Sequence, residues 1–207
     1  MAYRQPPPDL ESLLLKERIV YLGMPLVSSN ENKGRLGGVD VTKLIIAQLL
    51  YLEFDDPDKP IFFYINSIGT VGFETEAFAI CDTIKYIRPP VHTICLGQAM
   101  GSAALILSAG TKGSRASLPH ATIVLNQARS GARGQATDIQ IRAEEVLENK
   151  KSFLDILSKN TGQTSEKLDK DTDRMFYLSA EEAKEYGIID RVLQSTKELP
   201  AQMPVGV

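Results

Sequence analysis

The chain has 207 residues, 43% of them hydrophobic, two cysteines and a formal net charge of −3. That length and apolar content suit one α/β domain with a full core. The weak negative charge gives no electrostatic case for nucleic acid, and no apolar run is long enough to span a bilayer.

Residues 1–9, with Pro6, Pro7 and Pro8, are expected to form a flexible, extended arm. They carry neither the apolar region of a signal peptide nor a Ser/Arg-rich transit segment, which points to a bacterial cytoplasm or a processed plastid protein. A single domain is expected over 10–194. Leu10 to Leu15 reads as a helical turn and Arg18 to Leu22 as a strand. Residues 25–38, rich in Ser, Asn and Gly, read as a long inserted loop. Asp40 is placed to cap a helix carrying Leu44, Ile45, Leu49 and Leu52, which the stretch Asp55 to Pro60 ends. Ile61 to Ile65 is nearly unbroken in its apolar character, as in a strand covered on both faces.

A helix is predicted from about Phe73 to Tyr86, stopped by Pro89 and Pro90, and then a strand from Val91 to Leu96. Met100 to Ala109 reads as a buried helix of small residues, with Gly110 as its C-terminal stop. Arg115 to Leu118 and Ala121 to Leu125 are further strand candidates. Over 137–159, Ile139, Ala143, Val146, Leu147, Phe153, Leu154 and Leu157 recur at helical spacing. Ser179 and Glu182 form a capping box for a last helix, Gly187 ends it, and Ile188 to Leu193 is the final strand. Residues 195–207 read as a mobile tail. The alternation of strands and helices argues for an α/β fold. Cys81 and Cys95 lie in apolar patterns and are expected as reduced, buried thiols, while His92 and His120 read as packing or surface residues. No His/Cys spacing suits a metal, and no cofactor is implied.

Several strings carry a specific resemblance. They are Leu14-Leu15-Lys16-Glu17-Arg18-Ile19, Tyr64-Ile65-Asn66-Ser67, Thr93-Ile94-Cys95-Leu96-Gly97-Gln98-Ala99, Gly134-Gln135-Ala136-Thr137-Asp138-Ile139 and Leu178-Ser179-Ala180-Glu181-Glu182-Ala183. In this order they make the chain, from about Leu13 to Leu193, similar to the ClpP family of serine peptidases. The resemblance implies a ClpP/crotonase-like fold of repeated ββα units with a protruding strand and long-helix handle over about 127–159. In the family the handle reaches into an opposite ring; here it would include Gln127, Gly131, Arg133, Gly134, Gln135, Thr137 and Asp138.

Family members cut peptides with a Ser-His-Asp triad. Carried over by motif, the serine position is Gly101, the histidine position Asn126 and the aspartate position Met175. Glycine offers no nucleophile, asparagine no base near neutrality, and methionine no charge to hold an imidazolium. In another serine protease, loss of the serine alone costs about 10⁶ in kcat. The family's Ser-Pro-Gly-Gly oxyanion turn is also altered, to Ser67-Ile68-Gly69-Thr70, with Ser102 beside the serine position. A β-branched Thr70 resists the positive φ that a glycine there accepts.

The combination resembles ClpR, the non-catalytic ClpP-like subunit of cyanobacteria and plastids. It implies mixed heptameric rings, stacked as a tetradecamer, with an active ClpP-type paralogue. It also implies an AAA+ unfoldase (ClpC-like or ClpX-like), unfolded polypeptide in the chamber, and a cyanobacterial cytoplasm or plastid stroma. The family's unfoldase-docking pocket maps to Phe62, Tyr64, Tyr86, Ile94, Leu96, Leu118 and Leu193, all apolar or aromatic. Two other readings compete: a serine hydrolase with Ser102 as a displaced nucleophile, and a crotonase-like acyl-CoA binder.

Overall fold

The computed structural model describes residues 10–27, 40–71, 74–127, 134–195 and 198. The expected N-terminal arm, most of the expected loop, Gly131 and Arg133 of the expected handle, and nearly all of the tail lie outside them. Helix α1 (Leu10–Lys16) leads into strand β1 (Ile19–Leu22) and the short β2 (Leu26–Val27), followed by α2 (Val41–Asp55), β3 (Ile61–Ser67), β4 (Thr70–Val71) and α3 (Thr75–Tyr86). The central β5 (Val91–Met100) turns sharply into α4 (Ser102–Ser108), and then come β6 (Ala116–Ser117), β7 (Thr122–Leu125), the long α5 (Ala136–Thr161), α6 (Ser165–Thr172), β8 (Phe176–Ser179), α7 (Ala180–Tyr186) and β9 (Arg191–Val192).

The main sheet runs β1-β3-β5-β6-β9 in parallel. β5 is long enough to hold two partners on one side: its middle pairs with β6, its end with β7, and β8 closes antiparallel on β7. Alternation sorts side chains to two faces. Ile61, Phe63 and Ile65 of β3 join the main core with Ile45, Leu49, Ile80 and Leu105 from the helices. Phe62 and Ile94 face the other way, into a second, smaller apolar cluster. Each fully buried Leu, Ile or Phe contributes roughly 1.5–3 kcal/mol, so the sheet is held from both sides, as the apolar run at 61–65 required.

Local sequence accounts for several boundaries. Asp40 caps α2 by accepting from the Lys43 N–H, and Ser179 with Glu182 forms the predicted capping box on α7, which ends at left-handed Gly187. Arg18 departs from the expected strand. It sits at φ 59, and its guanidinium donates to the carbonyls of Leu52, Asp56, Lys59 and Pro60, closing the C-terminal end of α2.

Other expectations are corrected. β5 continues past Leu96 to Met100, because Gly97 and Gln98 are exposed strand positions and not a break; α4 therefore starts at Ser102. Gly110 follows the Ala109 cap of α4 where the stop is expected, but not in a left-handed conformation; a Cβ there would strike the Thr93 side chain. The start of the expected loop is ordered, since Leu26 and Val27 pair with Thr70 and Val71. The final strand shrinks to Arg191–Val192, with Ile188 and Ile189 buried in the preceding turn. Helix α6 and strand β8 lie outside the expected elements: α6 is polar apart from Leu168, which is buried together with Thr172.

Helix α5 spans 26 residues, about 39 Å. Of its apolar stripe only Phe153 and Leu157 are buried, while Ile139, Ile141 and Leu147 are 43%, 66% and 65% exposed. Its N-terminal half projects from the domain. No described helix is long and apolar enough to cross a membrane.

Candidate functional site

The β5–α4 turn carries Gly101 at φ 53, ψ −113 as the N-cap of α4. Its N–H donates to the Val124 carbonyl at 2.8 Å, which ties the turn to β7. Because Met100 registers with Val124, the chain after β7 passes directly over the turn. Asn126 lies there: a Cβ built on Gly101 would stand 2.7 Å from its Oδ1. The Asn126 amide donates in turn to the Gln127 carbonyl.

Met175 precedes β8 and follows the Leu125–Phe176 pair by one step of register, so it reaches the same end of β7 as Asn126. It is 41% exposed, and its sulfur accepts from the Tyr177 hydroxyl at 3.6 Å. The structure thus brings Gly101 and Asn126 into contact and sets Met175 at the outer margin. Among these three side chains there is no hydroxyl, thiol, imidazole or carboxylate.

The β3–β4 turn beside them is closed on itself. Gly69 takes the left-handed conformation, φ 84, and Thr70 is relieved of it by lying in β4. The Gly69 N–H donates to Ser67 Oγ at 3.1 Å, and the Thr70 N–H donates to Ser102 Oγ at 2.6 Å. Ser102 Oγ–H donates back to Thr70 Oγ1, which donates to the Glu74 carboxylate at 3.0 Å. Burial pushes the Glu74 carboxyl up from its ordinary value, and the Thr70 hydroxyl partly offsets this. The Gly69 and Thr70 N–H groups of this turn are therefore already satisfied by protein hydroxyls.

Ser102 is 2% exposed, with its hydroxyl committed to Thr70. His120 is exposed and precedes β7, at the opposite end of that strand from Asn126. Among the described residues no imidazole or carboxylate bonds Ser102 directly; its hydroxyl reaches the Glu74 carboxylate only through Thr70. Cys81 and Cys95 are buried, each thiol pushed up to about 12 by burial, so neither supplies a thiolate. His92 stacks on Phe62 at 5.1 Å and is held below its ordinary value by burial and by Arg191.

Six of the seven residues expected in a docking pocket converge. Phe62, Ile94 and Leu193 are buried in the second apolar cluster, with Tyr64, Leu96 and Leu118 half-buried against them. Tyr86 stands apart at the end of α3, 79% exposed. Of the expected handle, Gln127 lies just beyond β7, Gly134 and Gln135 precede α5, and Thr137 and Asp138 lie in its first turn. Sequence reasoning missed Glu74 and the destination of the Ser102 hydroxyl. No local pattern joins Thr70 to Ser102, 32 residues apart; their contact follows from β3 and β5 being neighbours.

Residues 8–196 match the family described as Clp protease. Similar proteins include an ATP-dependent Clp protease proteolytic subunit-like protein of Synechocystis sp., 74% identical over 99% of this chain and 94% of that protein. A protein of the same description from Synechococcus elongatus is 67% identical over 99% of this chain and 92% of its own length. The chloroplastic ATP-dependent Clp protease proteolytic subunit-related protein 4 of Arabidopsis thaliana is 46% identical over 95% of this chain and 63% of that protein.

Proposed function

The chain belongs to the Clp protease family, and on that footing we propose that it is a proteolytically silent, ClpR-type subunit. It assembles with an active ClpP-type paralogue into the rings of an ATP-dependent Clp protease. One observation carries the reading: at the strand–helix turn the nucleophile position is Gly101, packed under Asn126, with the adjacent Thr70 N–H held by Ser102. Catalysis by the triad needs a nucleophile, a base and an orienting carboxylate acting as a unit. Here all three are replaced, and the neighbouring donor is occupied.

Assembly is supported by what the chain keeps. The projecting half of α5 exposes Ile139, Ile141 and Leu147, which suits a handle that meets another ring. The half-buried Tyr64, Leu96 and Leu118, backed by buried Phe62, Ile94 and Leu193, offer an apolar face that suits an AAA+ unfoldase. Relatives from cyanobacteria and a chloroplast fit work in a cyanobacterial cytoplasm or plastid stroma. The buried, committed Ser102 hydroxyl argues against a displaced nucleophile.

The test is to purify the protein alone and with an active ClpP paralogue, then measure particle mass, peptidase activity and fluorophosphonate labelling. The expected result is mixed rings with label on the paralogue only. Covalent label on this chain alone sinks the silent reading; failure to co-assemble with any paralogue sinks the ring reading.

A further inference from the structure

At the end of β5 remote from Gly101, a cleft of about 440 Å³ opens between the C-terminal ends of α3, α4 and α5. The ten residues of β5 separate the two places by roughly 30 Å. The floor is apolar, formed by Ile84, Ile87 and Ala109, each 6% exposed. The rim carries Lys85, Arg88, Lys112 and Lys159, all exposed, and none of the four takes part in a described ion pair. Arg115 also lines the cleft, but Asp190 neutralises it at 2.6 Å. Among the described residues no Asp or Glu lines it, although the Glu53 carboxylate accepts from the Arg88 backbone N–H at 3.2 Å beside the rim.

Helix ends explain only part of this charge. Each C-terminus presents about −0.5 of an elementary charge, so three converging ends present at most about −1.5. Four rim cations still exceed that and the Glu53 carboxylate together by roughly one to two charges. Positive charge gathered from three separate elements around an apolar floor is complementary to an acidic ligand with an apolar anchor.

We propose that this cleft docks a short acidic peptide segment of a protein partner, with one aliphatic or aromatic side chain on the Ile84–Ile87 floor and flanking carboxylates on the rim cations. The proposal stands apart from the silent-subunit reading, since it concerns the opposite end of β5 and holds whether or not the chain cuts. A peptide fits better than a bare phosphate, to which the apolar floor offers nothing.

The experiment titrates fluorescein-labelled Glu-Glu-Leu-Leu-Glu-Glu into the full chain and reads anisotropy at low salt. Saturable binding is expected, about tenfold weaker in Lys85→Glu/Lys112→Glu and unchanged in the control Lys170→Glu/Lys184→Glu. Matching thermal unfolding of all three proteins shows that folding is intact. The proposal is overturned by equal affinity in the Lys85/Lys112 variant, by equal binding of Lys-Lys-Leu-Leu-Lys-Lys, or by inorganic pyrophosphate binding as tightly as the peptide.

Discussion

Asn126 covers Gly101 so closely that any side chain at 101 would bring its Cβ to 2.7 Å from Asn126 Oδ1. Gly101 and Asn126 are thus one packing solution. Gly101→Ser alone must both move the Asn126 amide and hold a non-glycine residue at φ 53. Strain of this kind costs about 1–3 kcal/mol, so a melting temperature lower by roughly 2–12 °C is expected by calorimetry. No fluorophosphonate label should appear on the single variant, because no base faces the new hydroxyl.

Ser102 holds the Thr70 N–H, so restoring the triad leaves a second obstacle. In the triple variant Gly101→Ser, Asn126→His, Met175→Asp, adding Ser102→Ala frees that donor. One oxyanion donor is worth about 10²–10³ in rate. The fourfold variant is expected to label at least about tenfold faster than the triple one. Equal labelling rates would show that the Thr70 donor plays no part. In the native background Ser102→Ala leaves a donor without its partner and should cost about 1–3 kcal/mol.

Glu74 sets a pH dependence. Burial raises its folded-state pKa, so its contribution favours folding below the unfolded value near 4.5 and is lost as the pH rises through the folded value. Glu74→Gln removes that loss while keeping an acceptor for Thr70. Its melting temperature, relative to the native chain, should rise more at pH 7.5 than at pH 4; an equal shift at both counts against a perturbed carboxyl.

Asp190 carries the opposite sign. Burial pushes its carboxyl up, but the Arg115 guanidinium and the Arg115 and Gly113 N–H groups outweigh this and hold it below the ordinary value. Its contribution is present above the unfolded value near 3.8 and is lost as the pH falls through the folded one. Asp190→Asn leaves Arg115, 3% exposed, without its carboxylate. A loss of about 3 kcal/mol at pH 7 is expected in urea unfolding, shrinking below pH 4.

The projecting helix separates folding from assembly. Ile141 and Leu147 are 66% and 65% exposed in the single chain. Ile141→Glu with Leu147→Glu should change domain stability by less than about 0.5 kcal/mol. Native mass measurement of the complex with a ClpP paralogue should show double rings falling to single ones. Intact double rings would remove these side chains from any contact between rings.

Some of this was legible from residue order because the cause is local. A hydrogen at Gly101 cannot become a hydroxyl in any fold, and the caps at Asp40 and Ser179 bond to N–H groups only three residues away. The unbroken apolar run at 61–65 required cover on both faces, which the two clusters supply. The elements missed were those whose stability comes from elsewhere. β2 exists through β4, β8 through β7, and polar α6 through Leu168 and Thr172. Only the assembled sheet decided that Ser102 meets Thr70, that Gly110 makes room for Thr93, and that four basic residues from three elements ring one cleft. Those contacts join positions far apart in the chain, and strand order and register, not neighbouring residues, set the distances between them.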